Sequence, residues 1–230
     1  MKNVRPVKRL SCVLLAAGLS SRMGKQNKLL IDIDGQPLVR RTASTLVEYV
    51  TEENVADEDV AEEHVGKKNG FEEIIVVLGH EANLVSEVLQ GLPVTIVVND
   101  DYQEGQMTSV HKGVKALTKD CDGIMICLSD LVLLEHSDLK AMHRAFDECQ
   151  TAILVPQYQG ERGNPIILAR SQRQAIIDGE KNLGCRKLIQ KRPEEVTVFE
   201  AKNDHLSVDL DTPEALEAFR QRMQQRVSNA

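Results

Sequence analysis

Short apolar runs alternate with longer amphipathic stretches along almost the whole chain, and that alternation leaves few folds open. Residues 11–16, 73–78, 94–98, 123–128, 152–156, 165–168 and 197–200 are brief and apolar enough for strands. Residues 37–50, 81–89, 107–118, 137–149, 171–177, 185–191 and 213–226 carry apolar side chains at helical spacing. Strand followed by helix, repeated, predicts an α/β fold of three layers, with a mostly parallel, doubly wound, Rossmann-like sheet between helices. Ligands of such sheets sit beyond the carboxyl ends of the strands, so the loops at that edge are where chemistry is sought.

The 230 residues suffice for one sizeable core, and a single domain over residues 1–230 is expected. One segment breaks the alternation. Between about residues 51 and 70, seven acids (Glu52, Glu53, Asp57, Glu58, Asp59, Glu62, Glu63) face only Lys67 and Lys68, so this insertion carries most of the net charge of −7. It reads as a solvated loop or short helix between core elements, with an interaction surface as the minority reading. A net negative chain does not suit nucleic acid as a partner, and small anionic substrates would need local cations.

The five cysteines (Cys12, Cys121, Cys127, Cys149, Cys185) are odd in number and form no C-x-x-C pair, the pattern of reduced thiols in a cytoplasm. No apolar run approaches the ~20 residues of a membrane span. Basic residues before Arg9 and the Leu10-Ser11-Cys12 sequence give a faint leader signal. The cysteine, however, precedes the apolar run, and a strand accounts for the same residues. A cytoplasmic protein with no membrane association is therefore expected.

The apolar run of residues 10–17 feeds directly into L-A-A-G-L-S-S-R-M-G at residues 15–24, with Lys28 beyond it. Small residues after a buried strand let backbone N–H groups approach a ligand, and Arg22 and Lys28 can converge there on an anion. Neither G-x-x-x-x-G-K-[ST] nor G-x-G-x-x-G occurs, which weakens two common nucleotide folds. Two acids end other segments: Asp130 follows the strand pattern of residues 123–128, and Asp211 precedes Thr212-Pro213, with Asp209 two residues earlier on the same face of an extended chain. Magnesium prefers oxygen ligands and is usually held by one or two carboxylates together with substrate phosphates. The plainer alternatives are that Asp130 caps the following helix and that Asp211 is a turn or N-cap residue.

The turn L-A-A-G-L-S-S-R-M-G-K-Q-N-K-L-L resembles the signature of the molybdenum cofactor nucleotidyltransferases, within the sugar-nucleotide and cytidylyltransferase superfamily. Its two alanines before the glycine are similar to the cytidylyltransferase branch; the guanylyltransferase branch generally has alanine-glycine-glycine. The resemblance extends to G-I-M-I-C-L-S-D ending at Asp130 and to V-D-L-D-T-P-E-A-L over residues 208–216. It implies a nucleotide site of Leu15, Ala16, Ala17, Gly18, Arg22, Lys28, Gly79 and Ser109, with Arg22, Lys28 and Asp130 as catalytic groups. It also implies Mg²⁺ on Asp130 and Asp211, with Asp209 assisting. Residues 105–113 resemble the family's glycine-then-serine helix start; there Gly105 would allow close approach and Ser109 would contact ribose or base, a role compatible with simple helix capping.

G-E-R-G-N-P-I at residues 160–166 is similar to the branch's arginine-glycine-histidine-proline turn, which implies an acceptor site at Gly163, Asn164 and Pro165. Here Asn164 replaces histidine, and an amide cannot titrate near neutrality. Arg186, in a looser match, is a candidate for the acceptor's phosphate or else a solvated helix cation. Leu131-Val132 replaces the usual methionine-proline after Asp130. His111 reads as a helix-surface residue, and Cys127 and Cys185 as packing thiols. The implied reaction is Mg²⁺-dependent transfer of CMP from CTP to molybdopterin cofactor, with a molybdenum enzyme or its chaperone as a further partner. Two rivals remain: a nucleotidyltransferase with a sugar or polyol phosphate acceptor, and a non-catalytic nucleotide-binding protein that delivers cofactor.

Overall fold

In the structure, a computed structural model, residues 7–24, 26–51, 70–178 and 193–228 are described. Strand β1 (Leu10–Ala16) is buried along its whole length, as its unbroken apolar run requires. It lies at the centre of the sheet, paired in parallel with β4 (Phe71–Leu78) on one side and β6 (Gly123–Leu128) on the other. Between β1 and β4 come a short hairpin, β2 (Asp32–Ile33) with β3 (Gln36–Pro37), and helix α1 (Leu38–Thr51). Helix α2 (Ala82–Val88) leads to β5 (Thr95–Val98), and α3 (Gln106–Ala116) leads back across the sheet to β6. Helix α4 (His136–Glu148) follows, then β7 (Ile153–Tyr158), β8 (Glu161–Arg162), β9 (Ile166–Ala169), α5 (Arg173–Ile177), β10 (Val196–Glu200) and α6 (Pro213–Ser228).

The sheet order is β10-β7-β9-β6-β1-β4-β5, with β8 on β7. The strands expected from sequence are all present, and the sheet is mostly parallel. The exceptions are β8, antiparallel to β7, and β9, which runs antiparallel to both β6 and β7 because the chain doubles back after β7. Alternation sorts the side chains: Leu10, Cys12, Leu14 and Ala16 of β1 pack with α1, α2 and α4, while Val13 and Leu15 pack with α3. A third, smaller apolar cluster lies off the sheet, where Leu216 and Phe219 of α6 meet Met23, Ile31, Leu38, Val132, Leu133 and Leu210. Helix α6 therefore packs on loops.

The chain runs outward from β1 through β4 to β5 and then returns to β6 on the far side of β1. That reversal opens a crevice where β1 and β6 end. The expected helix over residues 185–191 and the acidic insertion lie outside the described residues, as do Cys185 and Arg186. The four described cysteines are free and buried, and no described helix is long and apolar enough to cross a membrane.

Candidate functional site

The loop after β1 is held open by its own polar residues. Ser20 takes φ 53°, its carbonyl accepts from Met23 N, and its hydroxyl accepts from Lys28 N at 3.2 Å. Asn27 is buried; its Oδ1 accepts from Leu29 N at 3.0 Å and its amide donates to Glu81 Oε2, also at 3.0 Å. Asn27 thus starts the turn that presents Lys28 and ties the loop to the head of α2.

The Lys28 side chain, 12% exposed, reaches across the crevice to donate to Asp130 Oδ2 at 2.5 Å and to Asp211 Oδ1. Burial alone would lower its pKa, but the two carboxylates outweigh burial and raise it, so Lys28 is charged. The more exposed Arg22 donates to Asp211 Oδ2 at 2.5 Å. Asp209 completes the group, each of Asp130, Asp209 and Asp211 offering an oxygen within 4.8 Å of the others. Burial, then repulsion from Asp211 and Asp130, holds the Asp209 carboxyl above its ordinary value, with Lys28 and Arg22 partly offsetting this.

Two of these acids stand on segments without strand pairing. Residues 208–211 belong to no helix or strand, and Leu210 is fully buried between Asp209 and Asp211, whose carboxylates both reach Asp130. Capping does not explain either expected metal ligand: α4 is capped by Glu135, and Thr212 Oγ1 accepts from Ala215 N at the start of α6. Asp130 Oδ1 is buried without a hydrogen-bond partner. A buried carboxylate oxygen left so, within an all-oxygen donor set, fits a hard divalent cation.

The opposite wall comes from β5 and α3. Buried Asn99, at the end of β5, donates through Nδ2 to Thr108 Oγ1 at 2.8 Å and to Ser109 Oγ at 2.9 Å. The crevice encloses about 280 Å³ and is lined by Leu15, Ala17, Gly18, Lys28, Leu29, Tyr102, Gln106, Ser109, Leu128, Ser129 and the three acids. Of the residues expected at the nucleotide, Leu15, Ala17, Gly18, Lys28 and Ser109 line it. Ala16 and Gly79 do not. Ala16 points into the core, and Gly79 lets two loops touch, since a Cβ there would come within 2.7 Å of the Tyr102 ring and 2.9 Å of Ala17 Cβ. Arg22 stands outside the lining and reaches the site through Asp211.

The expected acceptor turn lies elsewhere. Gly163, Asn164 and Pro165 are absent from the lining; Asn164 N donates to Leu206 O at 2.7 Å, and a Cβ at Gly163 would come within 2.2 Å of that same carbonyl. These residues brace the loop that leads to Asp209. Leu131 and Val132 are almost wholly buried, so they shape packing beneath the site. His111 is half-buried, with Nε2 hydrogen-bonded to Ile177 O at 2.9 Å, and so links α3 to α5. Burial pushes the thiols of Cys12 and Cys127 up, as suits packing groups. Tyr102, Gln106 and Ser129 were missed; only the helical spacing of Gln106 to Ser109 pointed to one of them.

Comparison with known proteins matches residues 12–196 to the family described as "MobA-like NTP transferase domain". Nicotine blue oxidoreductase of Paenarthrobacter nicotinovorans is 26% identical over 216 residues, covering 89% of this chain and 93% of that protein. Molybdenum cofactor cytidylyltransferase of Escherichia coli is 22% identical over 89% of this chain and 92% of its own. Molybdenum cofactor guanylyltransferase of Vibrio atlanticus is 26% identical over 91% and 94%. Among solved structures, a nucleotidyl transferase from Methanothermobacter superposes with a TM-score of 0.73 at 20% identity, covering 95% of this chain and 99% of that one. A Mycobacterium tuberculosis protein in complex with manganese gives 0.68 at 18%, covering 91% and 97%.

Proposed function

The chain belongs to the MobA-like NTP transferase family and is a nucleotidyltransferase, and from that premise we propose that it transfers CMP from CTP to a phosphate of molybdopterin cofactor. A phosphate oxygen of the acceptor bonds to the α-phosphorus, the bond to the β-phosphate oxygen breaks, and pyrophosphate leaves. The observation that carries the reading is the group of Asp130, Asp209 and Asp211, within 4.8 Å of one another, on a crevice that opens from the Ala16-Ala17-Gly18 turn.

No protein nucleophile is required, because such transfers depend on positioning and on stabilising charge. Ala17 and Gly18 leave room for the ribose and base against the backbone; a Cβ at Gly18 would meet nothing within 4 Å. The Ser109 hydroxyl, already accepting from Asn99, has its own proton for an acceptor in the crevice. Lys28 and Arg22 neutralise the acids and have the triphosphate oxygens as alternative partners once nucleotide enters. Asp130, Asp209 and Asp211 would hold a divalent ion, Mg²⁺ being the natural candidate for all-oxygen ligands. Bound there, it would polarise a phosphate oxygen and offset the charge that develops on pyrophosphate. The names of the cytidylyltransferase and guanylyltransferase relatives support the acceptor. The second alanine of the turn supports cytosine as the base.

The test is pyrophosphate release from CTP, GTP, ATP and UTP with purified molybdopterin cofactor. CTP is expected to be preferred, and GTP working equally well would overturn the cytidylyl reading. A second reading, a sugar or polyol phosphate acceptor, is favoured by the absence of the Gly163–Pro165 turn from the crevice. The same assay decides between them by the acceptor that supports release. Asp130→Ala and Asp211→Ala are each expected to lower turnover at least ~100-fold, the scale of losing a group that stabilises transition-state charge. Full turnover in both variants would overturn the assignment of these acids to the metal, whereas a cofactor-delivery protein would release no pyrophosphate even as the native chain and would keep its delivery role in both variants.

A further inference from the structure

The three acids come from two segments distant in sequence, Asp130 from the loop after β6 and Asp209 and Asp211 from the loop before α6. Downstream of Asp130, Leu134 N donates to Leu131 O at 3.2 Å, and a reciprocal cap joins Glu135 and Asp138: Glu135 N donates to Asp138 Oδ2 at 3.0 Å. Upstream of Asp209, residues 204–208 form a closed turn, with Ser207 N and Val208 N both donating to Asp204 O at 3.0 and 3.1 Å. Among the described residues, one side-chain hydrogen bond crosses directly between these segments, beside the apolar cluster that Val132 and Leu133 share with Leu210. His205 Nδ1 lies 3.0 Å from Asp138 Oδ2, with the two side chains only 7% and 11% exposed. The carboxylate only accepts, so Nδ1 carries the proton.

We infer that the buried Asp138–His205 pair is a clamp that holds the two acid-bearing segments in register, so that Asp209 and Asp211 face Asp130 before any cation arrives. The inference rests on the reading of those acids as a divalent-ion site. Neither partner lines the crevice, so both are positioning residues. The pair is suited to this: it is short, almost shielded from solvent, and backed on each side by local hydrogen bonds that keep either segment from flexing. The turn it grips is held from two further directions, since Arg222 of α6 donates to both Asp204 oxygens at 2.6 and 2.9 Å and Asn164 N donates to Leu206 O. Of these hydrogen bonds on the turn, the one from His205 leads to the segment that carries Asp130. Glu135, Asp138 and His205 also lie close enough to suggest a second cation site. The acid oxygens are already engaged in capping α4, however, and no ion is assigned there.

The experiment measures binding of Mn²⁺ alone to the full chain, from the electron paramagnetic resonance signal of the free ion. His205→Leu removes the pair and is expected to weaken Mn²⁺ at least about tenfold, the usual scale for losing a group behind a ligand. His205→Asn, whose amide can take the place of Nδ1, should restore affinity to within a few-fold of the native chain. Asp138→Ala breaks the same contact from the α4 side and should match His205→Leu. With CTP and acceptor, turnover at saturating Mn²⁺ should fall much less than affinity. Native Mn²⁺ affinity in His205→Leu or Asp138→Ala, even with a lowered unfolding midpoint, would overturn the clamp and leave the pair a packing contact. Asp211→Ala separates the two ideas: if it too bound Mn²⁺ like the native chain, the reading of the acids themselves would fail.

Discussion

Lys28 and Asp209 show how charge is balanced at the level of single residues. One ammonium lies against Asp130 and Asp211, and Arg22 adds a second cation to Asp211, while Asp209 has no such contact and its carboxyl is held above its ordinary value of 3.8. Burial is the larger cause and repulsion from the other two acids the next. The sign follows: below pH 3.8 Asp209 is protonated in both folded and unfolded chains and exacts nothing, but as pH rises through the raised folded value its ionisation destabilises the fold. Asp209→Asn in metal-free protein is therefore expected to raise the unfolding midpoint at pH 7 and to leave it nearly unchanged near pH 3, read by thermal melts in chelator. A lower midpoint at pH 7 would contradict this account. Asp130 and Asp211 were legible in the sequence because each ends a recognisable segment, and Asp209 because period two puts it beside Asp211. That Lys28 would bridge them was not legible, since it depends on three loops meeting in space.

At the level of elements, the link between β5 and α3 governs the nucleotide wall. Asn99 uses both amide protons to orient Thr108 and Ser109, and its Oδ1 accepts from Asp101 N at 3.2 Å. Removing it frees the Ser109 hydroxyl to turn from the crevice. Asn99→Ala is expected to raise KM for the nucleotide about tenfold, the loss of one net hydrogen bond of about 1–1.5 kcal/mol, while kcat falls about threefold or less. Asn99→Asp should be worse, because its carboxylate would capture the Ser109 proton; steady-state kinetics on both variants checks the order. Strand and helix positions were readable from periodicity alone, but the antiparallel direction of β9 was not: the hairpin turn after β7 rests on Gln159-Gly160, both at positive φ, and glutamine in the first position is a weaker signal than asparagine or aspartate. The packing role of the turn at Gly163–Pro165 was hidden for a related reason. Its glycine is demanded by Leu206 O, a contact far along the chain that local sequence cannot reveal.

Across the whole molecule, the site exists because the strand order reverses at β1, which leaves the loops after β1 and β6 facing each other across a crevice. Those loops do not rest on the sheet alone: Met23 and Ile31 from the first and Val132 and Leu133 from the second share an apolar cluster with Leu210 and helix α6. A ligand that bridges the two loops therefore joins parts of the molecule that unfolding would separate, and its binding energy becomes folding stability. At a free concentration 100 times its Kd, a ligand bound only by the folded chain adds about 2.7 kcal/mol. For a chain of 230 residues, a gain of that size moves the unfolding midpoint by roughly 5–10 °C. CTP with Mg²⁺ is expected to produce this shift, chelator to abolish most of it, and GTP to give clearly less, as read by differential scanning fluorimetry. An equal shift without a divalent ion would mean that the acids contribute nothing to nucleotide binding, and it would place the bound phosphates on Arg22 and Lys28 alone.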